Sequence, residues 1–422
     1  MSRDVIIIGG GIEGLSAAVR LAACRRDLHV TLLEESSRLG GEHCAVQIAH
    51  PHRAGDRPFC FDLASGPLTM PYVLLDLFAA AGQDVRDHLR IVKLDPVNQY
   101  VWPDGTRFEA PAAEPELREA ISTISPGDVE GWMRLLAAGR RSWETAERLA
   151  QRQDQRGTLM HLLDEFGRIG NRMRLALQPS DEDRVDRALQ NPKLRDVWKH
   201  ELFRHQCAEP LGSTPLAMCW IKHHYGAWHI VGGTQRLIEK LEVIAREAGA
   251  HISLNCPVSQ IAAQETAAGQ SDPTARRAVS MRDGTRLSAD WVITASNVEH
   301  GDGGLALLLG IEGDLTLPDR MTLFLDSSQP QHAIEIACPT RSDASLAPEG
   351  CHALTLRAPA GLSDDEIIRI MERRLGLSDL NQRIVVRQMV GHRLGMAKAG
   401  VDVTQQVLRG KALSETVALS ST

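Results

Sequence analysis

The chain has few aromatic residues, 4 % of 422, and that scarcity gives no strong argument for membrane insertion. No uninterrupted apolar run reaches transmembrane length, which excludes a helical span but not a protein resting on a membrane face. Positive charge is not in excess: the formal net charge is −7, so no surface for nucleic acid is indicated. The eight cysteines (Cys24, Cys44, Cys60, Cys207, Cys219, Cys256, Cys338, Cys351) are scattered and form no C-x-x-C pair. In a chain of this size that pattern predicts reduced thiols and a cytoplasmic location, at most peripheral at the inner membrane face. A signal peptide is not expected, because glycines interrupt the first apolar run. No Ser-His-Asp, paired-carboxylate or metal-ligand constellation stands out, so no catalytic residue is singled out. His50 and His52 form a pair without a third ligand nearby in sequence, and no metal site is expected.

What is present begins at the N-terminus. Val5–Ile8 is a run of β-branched residues, and Leu15–Ala23 has the composition of a helix packed on a sheet. Between them Gly9, Gly11 and Gly14 fit G-x-G-x-x-G in its required strand-to-helix setting. Gly9 makes the tight turn, Gly11 lets a pyrophosphate approach the backbone, and Gly14 permits close helix–strand packing. The helix start then offers free N–H groups and the positive end of its dipole. A second strand, His29–Leu33, ends in Glu34, an acid placed to accept hydrogen bonds from a ribose diol. These residues alone leave an NAD site or a Rossmann unit without a dinucleotide open.

The next stretch narrows the reading. Glu34 is followed by Arg38, Gly40 and Gly41, an acid and then Arg-x-Gly-Gly. At this spacing the segment resembles the FAD-binding signature of the amine oxidase and phytoene desaturase superfamily. The resemblance to bacterial-type phytoene desaturases continues in order. It passes through Phe61-Asp62-x-x-x-Gly66-Pro67-x-x-x-Pro71, a helix from Tyr72 ending in Ala79-Ala80-Ala81-Gly82-x-Asp84, then Leu94-Asp95-Pro96 and Pro103–Phe108. It returns in the Tyr225–Ile261 module, a β-loop-helix-β unit with Gly232-Gly233, a helix over Arg236–Ala248 and Val258. In this superfamily the residue at the position of Val258 bonds adenine through its backbone. The family usually has Arg after the Gly-Gly pair and Pro before the second one; here Glu42 and Val231 stand there, and Glu42 is expected to face solvent.

Between these modules, residues 112–222 read as helical. Helices are predicted over Asp128–Leu149, over Ser180–Gln190 with Ser180 as its cap, and over Pro192–His205 with a stripe of Leu194, Val197, Trp198, Leu202 and Phe203. The Arg140-Arg141 pair and Arg152–Arg156 read as surface charge. A mobile loop is expected over Thr266–Thr274 and a returning strand over Asp290–Asn297. Further strands are expected over Arg320–Leu325, Ala333–Ala337 and Cys351–Leu356, and a helix over Ser363–Leu375 with an acidic start.

The resemblance covers about Val5 to Pro359. It implies an α/β protein: a Rossmann-type FAD-binding domain (1–80 and 225–300) with a discontinuous α+β substrate domain (81–224 and 301–385) and a divergent tail (386–422). It also implies an FAD-dependent oxidoreductase that takes hydrogen from an apolar polyene and passes hydride to flavin N5. An amine oxidase-like flavin enzyme, or a non-catalytic relative that keeps the ADP site, are the alternatives. The superfamily closes on a Gly-Asp pair and a glycine-rich helix start, and Met396–Thr422 holds only Gly400 and Gly410. The expectation is a flavin side that binds weakly, or not at all, or that is completed by a second chain.

Overall fold

The computed structural model describes residues 2–63, 66–153, 180–205, 215–263, 276–295, 305–326, 329 and 331–391. Two sheets organise it. The first is parallel, in the order Trp291–Thr294, β1 (Arg3–Ile8), β2 (Leu28–Leu33) and His251–Ser253. Alternation along β1 divides its side chains between two cores. Val5 and Ile7 pack with Leu15, Val19 and Leu241, beneath α1 (Ile12–Cys24) and the helix Thr234–Glu247. Ile6 and Ile8 pack with Val279 and Ala289, from a three-stranded antiparallel sheet (Val258–Ala263, Arg277–Met281, Arg286–Ala289) on the other face. A run of β-branched residues is what a strand buried on both faces requires.

The second sheet has seven strands, in the order Ile384–Gly391, Leu305–Glu312, Cys351–Ala358, Ala333–Ala337, Arg320–Phe324, Asn98–Val101 and Arg107–Ala110. All pairs are antiparallel except Arg320–Phe324 with Asn98–Val101, where strands more than 200 residues apart in sequence meet. One face buries Ile367, Ile368 and Met371 of the helix Asp364–Leu375. The opposite face carries helices Glu114–Ile124, Val129–Gln153, Asp181–Ala188, Pro192–Arg204 and Pro215–His224 around Trp102, Phe108, Trp132, Trp198 and Phe324. Six of the chain's 17 aromatic residues lie in this core, Tyr100 among them.

Most helix signals hold. Ser180 and Ser363 cap their helices, each with a reciprocal bond from the residue three positions on. Four residues of the Pro192 stripe are buried, but Phe203 points outward, 39 % exposed. The strand Ile384–Gly391 crosses the expected tail boundary at residue 386 and forms an edge of the large sheet. Arg140 pairs with Glu144 along its own helix, as a surface arginine does. Loop Thr266–Thr274, Arg156, and the tail Met396–Thr422 lie outside the described residues. The seven cysteines among the described residues are all free thiols. Among the described residues, no helix is long and apolar enough to cross a membrane.

Candidate cofactor site

The turn between β1 and α1 is built from backbone. Gly9 has φ 106°, in the left-handed region, and its N–H donates to the Leu33 carbonyl at 2.8 Å. Gly14 faces it so closely that a Cβ there would lie 1.9 Å from the Gly9 oxygen. The helix cap is Gly11, which has no side chain to bond the first-turn N–H groups of α1. Gly11 Cα is also close to the second glycine segment: a Cβ on Gly41 would stand 3.8 Å from it. Gly40 locks that segment in place, donating its N–H to the Gly10 carbonyl at 2.8 Å. The two glycine motifs, about 30 residues apart in sequence, thus form one cradle.

Glu34 stands at its wall. The residue is buried, 7 % exposed, and its two carboxylate oxygens accept from Gly10 N–H at 2.6 Å and Ser36 N–H at 2.9 Å. Gly10 is a site residue that the x of a G-x-G pattern conceals: a Cβ there would meet Leu39 Cδ2 at 2.4 Å. The Gly-Gly-Gly triplet was its only signal. Glu13 occupies another variable position of the pattern, and its carboxylate sits beside Gly11. The backbone of Glu34 is tied to the second module, with its N–H on Ser253 O at 2.9 Å and its carbonyl accepting from Cys256 N–H at 2.8 Å. Val258, two residues on, is half-buried against the Ile6–Leu33 core. Arg38 is exposed, near Cys44. The Glu42 side chain lies outside the described residues. His43, in the same loop, is pushed down by burial to about 4 and is neutral at pH 7.

A cleft opens beyond this loop, lined by Cys60, Asp62, Trp228, His229 and Arg320 among others. Asp62 accepts from Thr234 N–H and Oγ1, at 3.1 and 2.9 Å, at the start of the helix that packs on α1. Burial pushes the Asp62 carboxyl up. His229 Nε2 lies 3.1 Å from Asp343 Oδ2, which also accepts from Gly232 N–H at 2.6 Å. Burial raises Asp343, but the bonds from His229, Ser345 and Gly232 outweigh it and hold the carboxyl below its usual range. Neither His229 nor Asp343 was legible as a pair, because 114 residues separate them.

A carboxylate at the end of β2, an uncapped helix start and two glycine segments in contact fit a dinucleotide whose ribose meets Glu34 and whose phosphates meet the helix. The sequence profile of the flavin containing amine oxidoreductases matches residues 14–300, about two thirds of the chain. The chain belongs to this family. Its cofactor is FAD, and it is an FAD-dependent oxidoreductase. The chain is 25 % identical to a 4,4'-diapolycopene oxygenase of a Methylomonas species, across 92 % of this chain and 84 % of the relative. It is 24 % identical to a carotenoid 3,4-desaturase of Haloarcula japonica, across 89 % and 80 %. Among solved structures, a double mutant of putrescine oxidase superposes with a TM-score of 0.60 at 16 % identity, covering 99 % of both chains. That likeness speaks for the fold alone.

Proposed function

We propose that the protein takes hydrogen from a long apolar polyene of the carotenoid type. The observation that carries this reading is the likeness to two carotenoid enzymes over about nine-tenths of the chain. Bound FAD supplies the two-electron acceptor, at flavin N5. The chain's own residues bind and orient it: Glu34 accepts from the ribose hydroxyls, Gly9, Gly11 and Gly14 let the pyrophosphate reach the start of α1, and Gly40 and Gly41 close over it. Arg38 screens the phosphates, and the Val258 backbone holds adenine. In this division residues 1–80 and 225–300 carry the cofactor, 81–224 and 301–385 the substrate, and a second chain is the candidate to complete the flavin side. The polyene would be drawn from a membrane by peripheral contact.

A second reading is oxidation of an amine, favoured by Asp62 and Asp319 in the cleft lining, since carboxylates suit a cationic substrate. Anaerobic mixing of the FAD-loaded protein with polyene-bearing vesicles separates the two. The first reading expects the flavin absorbance to bleach with the polyene and to persist with small amines. Bleaching by amines alone would contradict it.

A further inference from the structure

We propose that His50, Glu312 and Cys351 form a site for a divalent cation of the zinc type, distinct from the cofactor cradle. The sheet itself brings two of the ligands together. Glu312 ends one strand of the seven-stranded sheet, Cys351 begins its neighbour, and the two residues are directly opposed in register. His50 follows the strand Ala45–Ile48 and is fixed by stacking on Phe59, with ring centroids 5.8 Å apart and planes at 22°.

The imidazole Nε2, carboxylate oxygen and thiol sulfur all lie within 4.8 Å of one another. Tetrahedral zinc holds such atoms about 3.5 Å apart, so closure asks for shifts of about 1 Å. An independent observation points the same way. The His50 side chain is 1 % exposed, and its Nε2 has no hydrogen-bond partner among the described residues although it lies 3.4 Å from Glu312 Oε1. A buried ring nitrogen without a partner is costly, and a metal ion would satisfy it. Nitrogen, sulfur and one carboxylate oxygen form the mixed donor set that suits Zn²⁺ rather than Mg²⁺ or Ca²⁺.

Binding requires three changes. The Cys351 thiol releases its proton to solvent. The His50 proton moves to Nδ1, which gives up its 3.2 Å contact with His52 N–H. Arg53, half-exposed and paired with Glu312, swings away while keeping its 3.0 Å bond to the Glu349 carbonyl. Water fills the fourth position. The site would fasten residues 49–58 to the end of the large sheet.

Calorimetric titration of the FAD-loaded, chelator-treated protein with Zn²⁺ tests this. The expected result is one Zn²⁺ per chain and a rise in Tm on loading. Cys351→Ser and His50→Gln should each weaken binding more than tenfold, and Cys24→Ser should leave it unchanged. Arg53→Gln, a substitution at the protein surface, should tighten it, because the competing cation is gone. No stoichiometric binding, binding that survives Cys351→Ser, or an Arg53→Gln affinity no tighter than wild type would each overturn the proposal. The Arg53 arm decides the question even if the buried variants fail to fold.

Discussion

The nucleotide half and the helical half of this molecule are held together by different means. Around Gly9–Gly14 and Gly40-Gly41 the structure is fixed by backbone: N–H groups on carbonyls, and glycines packed where no Cβ fits. On the helical face of the large sheet it is fixed by side chains taken out of water. Glu201 is half-buried between Tyr100 Oη at 2.6 Å and Lys222 Nζ at 2.8 Å. Burial raises its carboxyl, but Lys222, His205 and His200 outweigh that and hold it well below the usual range. Close by, Glu335 meets Arg204 at 2.7 Å and His200 at 3.3 Å and is lowered to about 2, again against burial. The comparison teaches that a backbone-built site tolerates few side-chain identities at its glycines, while a side-chain-built core depends on complete charge pairing.

The largest expected effect breaks the second kind of order. Lys222→Met removes the nearest cation from the half-buried Glu201 carboxylate and should cost about 3 kcal/mol. Urea unfolding should show it, with the FAD affinity unchanged and Glu201→Gln restoring much of the loss. If Lys222→Met were neutral, the ionic account of the helical core would fail. Next is Gly14→Ala, whose Cβ would collide with the Gly9 carbonyl; a loss of about 3 kcal/mol is expected together with loss of FAD. Gly284→Ala is its control, in a hairpin turn with open space around it and φ 87°. It should cost about 1 kcal/mol and leave FAD bound. Equal losses at the two glycines would show that packing against the cradle is not what Gly14 provides.

The smallest effect is one of pH, and each half contributes a histidine. Burial lowers His43, and burial with Lys222 lowers His223, each from 6.5 to about 4. Both are therefore neutral in the folded protein while the unfolded chain takes up protons. Stability is fully present above pH 6.5 and is lost as pH falls toward about 4. Buried Asp196, raised to about 6, opposes this below that pH, because there the folded state binds the extra proton. Burial also lowers His352 and raises Asp62, so three histidines stand against two carboxyls and leave a net loss, seen as a falling urea midpoint between pH 7 and about pH 5. A flat midpoint would contradict it. His43→Asn and His223→Asn assign the two shares.

How much of this was legible in the sequence follows from the same difference. Glycine spacing and β-branched runs encode a backbone site locally, so Gly9, Gly11, Gly14, Glu34, Gly40 and Gly41 are recognisable in the sequence and lie together in the fold. Gly10 hid in a variable position of the pattern. Helix caps at Ser180 and Ser363 are equally local and equally readable. The helical core is not local. Asp128 is fully buried because its carboxylate accepts from Gln190 and Asn191 N–H, about 62 residues away. Tyr100 finds Glu201, and His229 finds Asp343, only through tertiary packing. Phe203 looked like part of an apolar stripe, since helical periodicity shows which face a residue occupies but not where the neighbouring element ends.

The cradle is the centre of this account, and flavin titration of the purified protein tests it most directly. One FAD per chain should bind, with visible flavin absorbance. Glu34→Gln, which keeps the shape of the side chain but removes its charge, should weaken binding roughly 10- to 100-fold, the loss of about 1.5–3 kcal/mol typical of a hydrogen bond to a charged group. Retention of FAD by Glu34→Gln at wild-type affinity, or no binding by the wild-type protein at saturating FAD, would contradict the account.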